Sequence, residues 1–154
     1  MKNPQLTNQF PIGEVQLSYK RKNQFTFFKI TSSASANECI RKIFPVEQIC
    51  YRERMYALYL DNSNNVLGYQ LLSIGGITGT LVDVRILMQG ALLINAVGLL
   101  LFHNHPSNTL KPSNADKNIT NKIIRSAEVL DLKVLDHLII TEDSYYSFAD
   151  NGEL

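Results

Sequence analysis

Tryptophan is absent from this chain, and cysteine is nearly so: Cys39 and Cys50 are the two in 154 residues. They are not spaced as a zinc knuckle, have no histidine nearby, and are expected to stay free thiols in a reducing compartment. A disulfide framework is thereby excluded as the basis of the fold. Long hydrophobic runs are missing too, since no stretch approaches the roughly 18 apolar residues of a membrane span. Met1-Lys-Asn-Pro-Gln5 has no apolar segment behind it, so no secretory leader is read there. A cytoplasmic location without membrane contact is the expectation. Charge of neither sign dominates, with 15 basic against 14 acidic residues and a net charge of +1. That balance argues against direct nucleic-acid binding, which needs several clustered Lys or Arg contacts. Lys20-Arg21-Lys22 is a local exception and reads as a solvated strand edge. Repeats and low-complexity tracts are absent as well.

The remaining composition, 45% hydrophobic and 19% charged, is that of one globular domain. Residues 1–48 read as an N-terminal extension with one or two strands (Glu14 to Tyr19, Phe25 to Ile30) and a short helix. Ser33 or Ser35 would cap that helix, which ends before Pro45. Residues 49–154 read as the domain proper. Met55 to Leu60 and Val66 to Leu72 are strand-like and joined by the polar loop Asp61 to Asn65. Gly75-Gly76 and Gly79 mark a turn region. Helical spacing runs from Val84 to Ala96 and from about Asn114 to Leu132, the latter with Ile119, Ile123, Ala127 and Leu130 as its apolar stripe. Val97 to Phe102 is a short apolar run that reads as a buried strand, and Val134 to Ile140 with Tyr145 to Phe148 closes the chain as a hairpin. Strands interleaved with helices predict an α/β domain with a mixed sheet, its ligand site at the carboxyl end of a central strand.

That end carries His103-Asn-His105-Pro-Ser107, followed by Ser113 and Asp116. Side chains two apart on a strand share a side at about 6.5–7 Å, close enough for both rings to reach one ion. Ser113-Asn-Ala-Asp116 also fits a helix capping box, which alone would carry no functional meaning. The conjunction decides: two of three histidines lie within three residues, and the acid falls on the first turn of the next helix. Two imidazoles and one carboxylate leave a fourth position open, the pattern of a catalytic rather than a structural zinc. A general base is then required nearby, and spacing alone leaves Glu14, Glu38, Glu47 and Glu53 all open. His137, beside Asp136 on a predicted strand, could support a zinc ligand from behind, but is more simply a packed or edge residue and is left outside the site.

His103-x-His105, seven residues, Ser113, two residues and Asp116 resemble the JAMM motif of the JAB/MPN metalloprotease superfamily. Glu53 to Asp61, Leu100 to Ser107, Leu135 to Ile140 and Tyr146-Ser-Phe148 are similar to the bacterial RadC-like JAB branch over about residues 50 to 150. The resemblance implies a cytidine-deaminase-like α/β fold with one Zn²⁺ per chain held at His103, His105 and Asp116. It also singles out Glu53 as proton shuttle and gives Ser113 the oxyanion or the attacking water. The activity implied is hydrolysis of a peptide or isopeptide bond in a protein substrate. Two departures stand out. Asn108 occupies the position where RadC-like proteins usually carry glycine, and asparagine tolerates a left-handed backbone better than most residues. The helix-hairpin-helix region usual ahead of such domains has no counterpart in residues 1–48. Two other readings of the same resemblance are a non-catalytic MPN-type interaction module and a protein associated with DNA repair or mobile elements.

Overall fold

The computed structural model describes residues 28–76 and 81–154, together with positions 13, 15, 16 and 18. Half of the expected strand over Glu14 to Tyr19, half of Phe25 to Ile30 and the whole Lys20–Lys22 cluster therefore fall outside the described residues, as do positions 77–80 of the glycine turn. Helix α1 spans Ser33–Ile43. Strands β1 (Arg54–Leu60) and β2 (Val66–Ile74) follow, then helix α2 (Val84–Leu93) and strand β3 (Gly98–Asn104). Helix α3 (Asn114–Val129), strand β4 (Lys133–Ile140) and strand β5 (Tyr145–Ser147) complete the order.

The five strands form one mixed sheet in the order β2-β1-β3-β4-β5. β1 pairs antiparallel with both β2 and β3, β4 with β5 likewise, and only β3 with β4 runs parallel. Parallel neighbours need a crossover, which α3 supplies. The mixed-sheet α/β expectation is met, and β3 lies at its centre. All seven residues of β3 are buried, because helices cover both faces of the sheet.

Alternation along the strands splits the core in two. Tyr56, Leu58, Leu60, Leu100 and Phe102 pack under α1 with Ala36, Cys39 and Ile40. Met55, Ala57, Tyr59, Leu99 and Leu101 meet Leu87, Met88 and Ala91 of α2 and Ile123 and Ala127 of α3. The helix at residues 33–43 thus shares a core layer with the sheet.

Several boundaries differ from the sequence reading. Ser32, not Ser33 or Ser35, is the N-cap of α1, and Ser35 is the reciprocal partner at the third helical position. Serine can occupy either role, so three candidates in four residues hid the frame. Val97 is exposed and precedes β3, while the strand continues beyond Phe102 through His103 and Asn104. Leu130 is exposed at the C-cap of α3, and Thr120 takes a place on the buried face instead. The loop between β1 and β2 follows expectation: Asp61 Oδ1 accepts from the backbone N–H groups of Ser63 (2.8 Å) and Asn65 (2.9 Å). Both thiols are free, Cys39 buried and Cys50 exposed. Among the described residues no helix is long and apolar enough to cross a membrane.

At Gly90 helix α2 packs tightly on side chains of the sheet. The Tyr59 hydroxyl donates to Gln70 Oε1 at 2.5 Å there, and a Cβ on Gly90 would collide with both groups. Alanine has better helix propensity than glycine by about 1 kcal/mol. Overpacking costs about 1–3 kcal/mol, so Gly90→Ala is expected to lower stability despite that gain. Urea unfolding of the two proteins decides, and an unchanged or raised midpoint would show that α2 can move outward without loss.

Candidate metal centre

Strand parity sends the residues at the end of β3 to opposite sides. Leu99 and Leu101 face α3, so His103 does as well, and it is 1% exposed. His105 follows the last strand residue, its N–H donating to the Ile140 carbonyl at 3.0 Å. Pro106 and Ser107 then turn the chain, and Asn108 adopts φ 63°. Asparagine in the usual glycine position is thus accommodated with the left-handed backbone that the loop needs.

α3 begins at the other side of this loop. Ser113 Oγ accepts from the Asp116 N–H at 3.1 Å, and the Ser113 N–H donates to Asp116 Oδ2 at 2.7 Å. The box the sequence predicted is therefore present in both directions. The Ser113 hydroxyl also lies 2.7 Å from Asp116 Oδ2 and donates to it. Held this way, Asp116 Oδ1 stands 3.3 Å from His103 Nε2, and Asp116 Oδ2 stands 3.5 Å from His105 Nε2. The two Nε2 atoms are 2.9 Å apart. His103, His105 and Asp116 each present a ligand atom within 4.8 Å of the others, a group able to hold one metal ion.

The residues present suit such an ion. His105 Nδ1 is 2.7 Å from the Thr109 carbonyl oxygen, which can only accept. That nitrogen therefore carries the hydrogen, and Nε2 turns a free lone pair toward the cluster. Burial pushes the Asp116 carboxyl up, but the neighbouring His103 and His105 rings and the Ser113 hydroxyl win and hold it well below the usual carboxylate range. Two neutral imidazoles and a carboxylate form a three-ligand set of the open catalytic kind.

Glu53 immediately precedes β1, is 7% exposed and lines the same cleft as His105, Ser113 and Asp116. Burial raises its pKa, the two histidines oppose that, and Asp116 adds to it. Its backbone is fixed from two directions. Gly75 donates to its carbonyl at 2.9 Å, and Asn104 grips the flanking chain. Asn104, facing away from His103, accepts from the Arg54 N–H at 2.8 Å and donates to the carbonyls of Ile49 (2.8 Å) and Arg52 (3.1 Å). Sequence reasoning overlooked this residue, though a fully buried amide at an inward strand position was a signal that it had a structural partner.

His137 is packed as expected and also touches the cluster. It is fully buried on β4, stacked on Phe148, with its Nε2 2.8 Å from His103 Nδ1. The ring reaches His103 because β4 is the parallel neighbour of β3, with Leu101 opposite His137. Thr120 on α3, likewise unforeseen, lies 2.6 Å from His137 Nδ1.

An α/β domain with two histidines at the end of its central strand and an aspartate on the following helix matches the class of fold in which JAB-type metallohydrolases occur. Residues 30–153 match the RadC-like JAB domain family. The chain belongs to that family. A UPF0758 protein of Flavobacterium johnsoniae is 51% identical over 124 residues, covering 80% of this chain and 53% of the relative. One of Methanococcoides burtonii is 34% identical over 118 residues, covering 77% and 52%. UPF0758 protein YfjY of Escherichia coli is 40% identical over 103 residues, covering 67% and 64%. The chain thus spans between about half and two thirds of the length of these relatives.

A pH dependence follows. Burial lowers the His105 pKa, but hydrogen bonds to Asp116 and Thr109 and the charges of Asp116 and Glu53 outweigh it, and the net shift is upward. A protonated imidazole cannot ligate, so protons compete with metal from a pH above the ordinary histidine value of about 6.5. Zinc affinity, titrated against a chromophoric chelator, is expected to fall steeply between about pH 8 and pH 5. A flat profile would remove His103 and His105 as ligands.

Proposed function

We propose that this domain is a zinc-dependent hydrolase that cleaves an amide bond, peptide or isopeptide, in a cytoplasmic protein substrate. The observation that carries the reading is the convergence of His103, His105 and Asp116 on one point beside the buried carboxylate of Glu53. Bound there, zinc would lower the pKa of a water and polarise the substrate carbonyl. Glu53 takes the proton released on attack and returns it to the departing nitrogen. Its raised pKa suits the second half of that task, because a carboxylic acid closer to neutrality is easily formed and still gives up its proton. Ser113 serves by holding Asp116, since its hydroxyl is engaged on that carboxylate.

The cleft that reaches the site measures about 810 Å³. Met55, Val82, Pro106 and Ile119 give it an apolar wall, and Lys111 and Lys122 stand on its lining as well. A substrate with an apolar side chain beside the scissile bond and an anionic group further out would match both.

Elemental analysis of the purified protein is expected to find one zinc per chain, lost in His105→Ala. Metal absent from the wild type would end the proposal. Glu53→Gln is expected to keep the metal while amide hydrolysis in a peptide-library screen drops by about 10²–10⁴-fold. Full turnover in that variant would assign the base elsewhere.

A further inference from the structure

Behind His103 runs a line of buried polar groups whose proton positions can be worked out from one end. Thr120 Oγ1 lies 2.6 Å from the Asp116 main-chain carbonyl oxygen, and a carbonyl can only accept. The single hydroxyl hydrogen of Thr120 is therefore directed at Asp116. The contact of 2.6 Å between Thr120 Oγ1 and His137 Nδ1 must then use a hydrogen on the ring nitrogen. A neutral imidazole with its hydrogen on Nδ1 has a bare lone pair on Nε2. His137 Nε2 consequently accepts across the 2.8 Å to His103 Nδ1, which must carry the hydrogen of its own ring. The last atom of the series is His103 Nε2, left with a lone pair directed at the Asp116 carboxylate and at His105 Nε2.

We infer that Thr120 and His137 are positioning residues that impose the metal-ligating tautomer on His103, with the direction of every hydrogen bond set by the backbone carbonyl of Asp116. The inference rests on the metal-binding reading above only for its purpose; the order of the hydrogens rests on the distances. Its consequence is local and specific. His105 has its tautomer set independently by the Thr109 carbonyl, so both Nε2 atoms present lone pairs across 2.9 Å with no hydrogen to share. Such a pair is repulsive alone and is satisfied by a common cation. The series also closes on itself: it starts at the main chain of Asp116 and ends opposite the side chain of Asp116. The start of α3 and the end of β3 are therefore matched through a side chain of β4. Full burial against Phe148 fixes the His137 ring between its two partners.

The test uses ring-nitrogen NMR and metal affinity on the same samples. In ¹⁵N-labelled, metal-stripped wild type at about pH 8, above the ordinary histidine value, long-range ¹H–¹⁵N spectra are expected to show hydrogen on Nδ1 of all three histidines. Hydrogen on Nε2 of His103 or His137 would overturn the inference with no variant needed. Thr120→Val removes the hydroxyl at nearly constant shape, and Thr120→Ser keeps it. The valine variant is expected to change the His137 and His103 ring-nitrogen shifts and to weaken zinc binding by about 10-fold or more, and the serine variant to restore both. Weaker binding with unchanged ring shifts would reduce Thr120 to a packing residue and overturn the relay, as would wild-type affinity in Thr120→Val. If Thr120→Val does not fold, the wild-type spectrum alone decides. A wild type that binds no zinc would overturn the proposed function, while the spectrum would still judge the relay.

Discussion

Alternation at the end of β3 is the constraint on which the site depends. β3 is held on one side by β1, with Met55 opposite His103, and on the other by β4, with Ile139 opposite His103. Those two registers put the imidazole on the face that α3 covers and the Asn104 amide on the face that α1 covers. A slip of one residue would exchange them and destroy both networks together. The slip is opposed by the apolar residues of the same strand, since Leu100 and Phe102 would leave one core layer and Leu99 and Leu101 the other. Ordinary core packing thus aims the chemistry.

Burying ionisable groups costs free energy unless each is partnered. Asp116, His137 and Asp136 at the centre each have identifiable partners. Asp116 is held ionised by two imidazoles and a capping serine. His137 is buried neutral between a ring nitrogen and a hydroxyl. Asp136, next to it, accepts from the His137 N–H, the Ser147 hydroxyl and the Ala149 N–H. Glu53 differs from Asp116, in that burial dominates its environment and raises its pKa, as it also does for Asp136. That contrast between two nearby carboxylates, one kept low and one pushed up, is what a site dividing the roles of ligand and proton carrier requires. Helix capping and ligand positioning are also one device here. The same Ser113–Asp116 pair that satisfies the first turn of α3 leaves Asp116 Oδ1 free to face His103.

The elements were legible wherever local chemistry decides them. Capping residues mark the start of α3, apolar alternation marks β1, and the Asp61–Asn65 loop announces its own turn. Errors fell where several residues could fill one role, as with the serines before α1, or where burial depends on what arrives from elsewhere. Leu130 has the spacing of a core residue but sits past the last turn that the sheet covers. Thr120 looks polar in sequence and is buried because His137 offers it a partner.

Two histidines, a serine and an aspartate at fixed spacing on a strand end and a helix start are properties of the chain itself, and so is the ligand set they suggest. Contacts between residues far apart in the chain are not. His137 is 34 residues from His103, and Asn104 is about 50 from the segment it straps around Glu53. Only the parallel pairing of β3 with β4 and the antiparallel pairing of β3 with β1 bring them within hydrogen-bond reach. Periodicity tells a strand which of its faces is apolar, but it carries no information about which strand will lie beside it or in what register. The ligands could therefore be read from the sequence, whereas the groups that orient them were decided by tertiary pairing.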